Sequence, residues 1–139
     1  MSVEVWVTGF EPFSNHETNI SQEIVQSLDG FNDSISLDSP KGPYSADNRE
    51  SEINIKGDVL SVDRDGTCVI AELLTHKSPQ AIVHLGLAED RDAISIEATA
   101  YNELDFRIPD NAGRKINGDC VVAVSYTHLR AHETRHDLV

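Results

Sequence analysis

This chain is short of cysteine, of cations and of long apolar runs. Its two cysteines, Cys68 and Cys120, are too few for a disulfide scaffold in 139 residues. Lys and Arg number 11 against 24 Asp and Glu, a formal net charge of −13. A field of that sign repels phosphate backbones and anionic lipid, so neither nucleic acid nor a membrane surface is an expected partner. No apolar stretch approaches the ~18–20 residues of a membrane span. Residues 1–9 have no basic start, no long apolar core and no cleavage site, so no secretory signal is expected. The location expected on these grounds is cytoplasmic, with both thiols reduced.

What is present fits one globular domain. Hydrophobic residues make up 39% and charged residues 25% of the chain, near the usual globular shares, so it can build a core. Val3–Val7 alternates and is rich in β-formers, which predicts a strand. Asn19 predicts a helix start, with Ile20, Ile24, Val25 and Leu28 as the apolar face and Asp29-Gly30 as the stop. A short strand is expected over Ser34–Leu37 and another over Asp58–Val62. Between them, 39–57 reads as a surface loop or insertion, because Ser39–Glu52 is dense in Pro, Gly, Ser, Asn and charge. Asp63 predicts a second helix cap, with Val69, Ile70, Leu73 and Leu74 facing inward and Lys77-Ser78-Pro79 ending the helix. Ala81–Leu85 has the look of a buried parallel strand. Ala93–Ala100 alternates strictly, with Ser95, Glu97 and Thr99 on a polar face. The alternation of strands and helices argues for an α/β fold, in which sites gather at the C-terminal ends of parallel strands.

Two segments are chemically unusual. In Thr8-Gly9-Phe10-Glu11-Pro12-Phe13, two aromatics three apart flank a stiff Glu-Pro pair. They either wall a small apolar pocket or plug the core beneath a loop. In Gly86–Asn102, a glycine turn is followed by Arg91 and, in the alternating stretch after it, by the carboxylate of Glu97.

Together these segments resemble the pyroglutamyl peptidase I family. Thr8–Phe13 with Asn19 is similar to the family's opening motif. His84-Leu85-Gly86-Leu87-Ala88 through Ile94-Ser95-Ile96-Glu97 and Ala100-Tyr101-Asn102 is similar to the segment holding its catalytic glutamate. Arg107-Ile108-Pro109-Asp110-Asn111 is similar to the next family block, and the three occur in family order. The resemblance covers residues 3–37 and 58–123. It implies an α/β three-layer sandwich with a mixed, mostly parallel sheet, here incomplete at its C-terminal side. It implies a cysteine-type omega peptidase of the cytosol, without cofactor, acting on peptides with an N-terminal pyroglutamyl residue. By the same resemblance Glu97 orients a catalytic histidine, Arg91 contacts the scissile carbonyl or oxyanion, and Phe10 and Phe13 hold the uncharged lactam ring. No metal is implied. Such a site fits general chemistry, since a thiol needs a base and the base needs an orienting group.

The chain also departs from the family pattern. Ser14-Asn15 stands for a usual Gly-Gly and Ile20 for a usual Pro. Glu89-Asp90 precedes Arg91 where small residues are usual, and could pair with it. Ala98 stands for a basic residue, and Ser39–Glu52 has no family counterpart. The nucleophile segment, of the form Ser-Asn-x-Ala-Gly-x-Tyr-x-Cys-Asn, and the histidine segment after it do not occur in these 139 residues. Cys68 and Cys120 sit among apolar neighbours and read as inert buried thiols. His84 reads as a satisfied core histidine, and His16 and His76 as surface residues.

The family-like domain is therefore read as 1–124, partial, and 125–139 as a non-family tail resembling translated adaptor sequence. That tail holds three of the six histidines and contains His132-Glu133-Thr134-Arg135-His136, which fits the His-Glu-x-x-His zinc pattern. A zinc peptidase is disfavoured because a third protein ligand is hard to find and the segment lacks an apolar face. The other alternative to the peptidase reading is a non-catalytic α/β binding module. The chain itself is expected to be inactive.

Overall fold

The computed structural model describes residues 2–37, 49–121 and 129–130. The chain forms two compact units, Met1–Leu87 and Ala88–Val139, and each is described by itself.

The first unit runs β1 (Ser2–Phe10), α1 (Ile20–Leu28), β2 (Asn32–Leu37), β3 (Arg49–Leu60), α2 (Arg64–Leu74) and β4 (Ala81–His84). Its sheet has the order β2-β3-β1-β4. Strand β1 is parallel to both β3 and β4, and β2 is antiparallel to β3. The chain steps one way from β1 to β3 and back past β1 to reach β4. With right-handed crossovers in both directions, α1 and α2 take opposite faces of a mixed, mostly parallel sheet. This is the three-layer α/β arrangement expected.

Local chemistry explains both helices. Asn19 has extended backbone angles and accepts from Ser21 N, capping α1, and Gly30 at φ 77° follows its C-terminus. Asp63 caps α2 by accepting from Gly66 N at 2.9 Å. The inward faces differ from expectation. In α1, Ser21 and Val25 are buried, whereas Ile20 and Ile24 are exposed. The cause is how close the helix lies to β1 and β3. A Cβ placed on Gly9 would stand 2.4 Å from Ser21 O, and one on Gly57 2.8 Å from Val25 O. Two glycines on the sheet thus let the α1 backbone press against it, and only a narrow stripe of small side chains fits between. In α2, Ile70 is buried and Leu73 half-buried, while Val69 and Leu74 are exposed.

The core of this unit holds Trp6, Val7, Val25, Leu60 and Ile70, with Thr8, Asn19, Ser21 and Ser51 buried among them. Among the described residues, every buried side-chain nitrogen and oxygen has a hydrogen-bond partner.

Three expectations are corrected here. Of the segment 39–57 read as a loop, residues 49–57 belong to β3, of which 49–54 pair with β2 and 52–57 with β1; 38–48 lie outside the described residues. Polar composition hid the strand, because ladder hydrogen bonds are made by backbone and accept any side chain. Strand β4 is parallel as expected but not buried: Val83 is 43% exposed, and among the described residues no strand pairs its outer edge. Cys68 and Cys120 are exposed, not core thiols, since Cys68 points off the outer side of α2 and Cys120 follows a short strand.

The second unit has little regular structure. Strand β5 (Thr99–Ala100) pairs antiparallel with β8 (Leu129–Arg130), and β6 (Leu104–Asp105) with β7 (Asn117–Asp119). The strand expected over Ala93–Ala100 reduces to its last two residues, and Ile94 and Ile96 are almost wholly exposed. Alternation makes a strand possible, but a strand also needs a neighbour to bond and a layer to cover its apolar face. The segment His128–His136 with its zinc-like pattern lies outside the described residues apart from the backbone of Leu129–Arg130. Among the described residues, no helix is long and apolar enough to cross a membrane.

Candidate functional site

The aromatic loop begins where β1 ends, at Phe10, and is held by a chain of buried polar groups. Phe10 N donates to Ser21 Oγ at 3.0 Å. Ser21 Oγ in turn donates to Asn19 Oδ1 at 2.8 Å, and Ser21 N donates to the same oxygen at 3.0 Å. Asn19 Nδ2 donates to Glu11 O at 3.1 Å. On the sheet side, Glu11 N donates to Leu60 O at 3.0 Å, and Glu11 Oε1 accepts from Val62 N at 3.2 Å. Asn19 and Ser21 are each 1% exposed, so the two bonds between them are shielded from water and costly to break. The loop is therefore tied both to the first turn of α1 and to the end of β3.

Phe10 and Phe13 are both half-buried. The Phe13 ring meets His16 edge-on, with centroids 5.7 Å apart and planes at 63°. His16 is thus not a bare surface residue. Ser14 has φ 58°, a left-handed conformation that glycine adopts without strain. This is the first of the two positions where the resemblance expects glycine, and the φ found here is one that glycine suits.

Beside the loop, Thr8 Oγ1 and His84 Nδ1 share a hydrogen bond of 2.7 Å. Thr8 is fully buried. His84 is satisfied, as expected, but it stands on an exposed strand rather than in the core.

In the second unit, a turn closes with Arg91 N donating to Ala88 O at 3.3 Å. The side chains of Arg91 and Glu97 form an ion pair, Nη1 to Oε1, at 2.6 Å. The carboxylate of Glu97 is not delivered by a strand, as its alternating neighbours suggested, but by irregular chain before β5. Its side chain is 71% exposed and that of Arg91 46%. A carboxylate has about four acceptor sites, so a guanidinium on Oε1 leaves capacity for a further N–H donor. Further on, Asp110 organises its own turn. Its Oδ1 accepts from Ala112 N and Arg114 N, and its Oδ2 accepts from Arg114 Nε at 2.7 Å. Desolvation pushes the Asp110 carboxyl upward, but the Arg114 amide and guanidinium outweigh it and leave it below its ordinary value.

Of the residues singled out from the sequence, Arg91 and Glu97 are brought together, and Phe10 and Phe13 share one loop. The supporting role of Ser21 and of the Glu11 carboxylate was not foreseen. A small polar residue two places after a helix cap, facing a glycine strand end, was the signal available for Ser21. Among the described residues, no cluster of three or more His, Cys, Asp and Glu could hold a metal ion.

A mixed α/β sheet with a pinned aromatic loop at the C-terminal end of its central strand defines an α/β sandwich protein with a candidate site on the strand-end rim. The sequence profile described as pyroglutamyl peptidase matches residues 3–128, and the chain belongs to that family. The pyrrolidone-carboxylate peptidase of Pyrococcus furiosus is 35% identical over 121 residues, covering 86% of this chain and 50% of that protein. The Thermosipho melanesiensis protein of the same name is 33% identical, covering 81% and 48%. A solved structure of a mutant P. furiosus pyrrolidone carboxyl peptidase superposes with a TM-score of 0.73 at 34% identity, covering 92% of this chain and 54% of that one. The chain spans about half the length of the curated relatives it matches.

Proposed function

We propose that this chain supplies the lactam-binding loop and the histidine-orienting carboxylate of a cysteine-type omega peptidase that removes an N-terminal pyroglutamyl residue from peptides. The observation that carries this reading is the coincidence of two facts. Family similarity runs through residues 3–128, and within it the loop Gly9–Phe13 is tied down by hydrogen bonds to the buried side chains of Ser21 and Asn19.

The roles follow from chemistry. Pyroglutamate has no α-ammonium to desolvate, so half-buried Phe10 and Phe13 can receive its ring without a charged partner. A cysteine thiol attacks the carbonyl once an imidazole takes its proton, and Glu97 holds that imidazole in the productive tautomer. Arg91, paired with Glu97, aims the carboxylate. Neither the cysteine nor the histidine segment of the family pattern is among these 139 residues. Alone, the polypeptide is therefore expected to bind the lactam without hydrolysing it. A cytosolic location belongs with this reading, because a reducing compartment keeps a thiol nucleophile free of disulfides.

Titration with L-pyroglutamate, followed by NMR of the Phe13 and His16 rings, tests the binding role. Saturable shifts that vanish in Phe13→Ala are expected. Equal binding by Phe13→Ala would overturn the assignment of the loop. Hydrolysis of a fluorogenic pyroglutamyl amide by this polypeptide, blocked by a thiol reagent, would overturn the assignment of the nucleophile to a segment outside it.

A further inference from the structure

We propose that the buried hydroxyl of Ser21 is a positioning group for the aromatic loop, and that it decides whether Phe10 and Phe13 stand ready for a lactam ring. The inference deepens the proposed function and rests on it for the identity of the ligand.

From Val5 to Thr8, β1 is laddered on both sides: Leu85 N donates to Thr8 O, and the register with β4 ends at the Thr8–His84 pair. Beyond that point β4 offers β1 no further partner. The next residue but one, Phe10, must place its amide elsewhere, and it donates to Ser21 Oγ. The hydroxyl therefore takes over from the sheet at the residue where the loop departs. Because Ser21 Oγ also donates to Asn19 Oδ1, its proton is committed and its lone pair faces the Phe10 amide. Gly9 makes this contact possible, since any side chain there would meet the Ser21 carbonyl. Asn19 then fixes Glu11 O, so two consecutive loop residues are tied to one turn of helix.

Ser21 is 1% exposed and its bonds to Asn19 are buried, so the acceptor lost with its hydroxyl is one that water reaches poorly. Removing it orphans the Phe10 amide at the root of the loop. The remainder of the sheet and the α1 cap, which uses Ser21 N rather than Oγ, stay as they are. The role is thus separable from stability. Loss of the hydroxyl loosens the loop first, and the fold only to the extent of one unmade hydrogen bond.

The test compares Ser21→Ala, Ser21→Thr and the control Ser27→Ala, which removes a hydroxyl on the exposed side of the same helix. Two readouts are taken on the full chain. The first needs no ligand: the nuclear Overhauser contact between the Phe13 and His16 rings, with Trp6 signals as the measure of an intact sheet. The second is the dissociation constant for L-pyroglutamate. Expected are loss of the Phe13–His16 contact in Ser21→Ala with Trp6 unchanged, and binding weaker by about tenfold or more. Ser21→Thr keeps the hydroxyl and should restore both readouts, and Ser27→Ala should change neither. Retention of the ring contact and of wild-type affinity in Ser21→Ala would overturn the positioning role. Failure of the unmodified chain to bind L-pyroglutamate would overturn the lactam reading, while the ligand-free ring contact would still decide the role of Ser21.

Discussion

The two units of the chain carry their family-like residues in opposite ways. In residues 2–87, the loop with Phe10 and Phe13 is anchored by side chains that are themselves buried, and the sheet beneath it is laddered across four strands. In residues 88–121, Glu97 is fixed by one ion pair on the surface, Ile94 and Ile96 face solvent, and the strands are two or three residues long. An exposed pair of that kind is worth ~0–1 kcal/mol and is screened by salt. A buried hydrogen bond whose loss orphans a donor costs ~1–3 kcal/mol. The first unit therefore holds its site by structure of its own, whereas the second holds its carboxylate by a contact that salt or a better partner can displace.

This contrast can be broken at several points. The largest effect is expected at Gly9. A methyl group there meets backbone atoms of Ser21 and Val25 Cγ2, and neither the strand nor the helix can move cheaply. Gly9→Ala should cost about 3 kcal/mol or more, read as a fall in the urea midpoint. If its stability were unchanged, the close approach of α1 to the sheet would be wrong. Next comes Val25, which is 1% exposed. Val25→Ala should cost about 2 kcal/mol, while Ile94→Ala and Ile96→Ala should each lie within about 0.5 kcal/mol of the parent. Equal costs in the two units would erase the distinction drawn between them.

A smaller effect, of opposite sign, is expected at Ser14. Its φ of 58° is strained for serine, and Ser14→Gly should gain a few tenths to about 1 kcal/mol in thermal or urea unfolding. The last effect is one of pH. The folded Asp110 carboxyl lies below its ordinary value. Its contribution is therefore present above the ordinary carboxylate range and is lost as pH falls through the lowered value. Carboxyl carbon NMR should show Asp110 titrating below the ordinary aspartate range, and the amide of Arg114 should lose protection in the same acid range. Loss of that protection above the ordinary carboxylate range would contradict the assignment.

Legibility followed the range of the interactions. Both helix starts could be read at Asn19 and Asp63, because a cap is a bond across two or three residues and its residue types are few. The strand over Val3–Val7, the parallel character of Ala81–Leu85 and the α/β class were legible for similar reasons. The N-terminal half of β3 was not, because Arg49–Asn54 is polar and its place is given by backbone ladders to distant strands. Nor were the solvent-facing Ile20 and Ile24, since their side of α1 was chosen by glycines 11 or more residues away on the sheet. Of the site, the residue types and their order were legible. The tie from Ser21 to Phe10 and the pairing of Arg91 with Glu97 were not, because each depends on where two separate stretches of backbone are carried.

Sequence alone was enough to establish an acidic α/β chain of the pyroglutamyl peptidase family and the helix caps that begin its two helices. Those properties rest on composition, on ordered motifs and on contacts between near neighbours. Tertiary structure decided which face of each helix is covered, how far β3 extends, and that Glu97 stands in open chain held by Arg91. These depend on contacts between residues far apart in the chain, and a side-chain pattern records which burial a segment could accept, not which surface it meets.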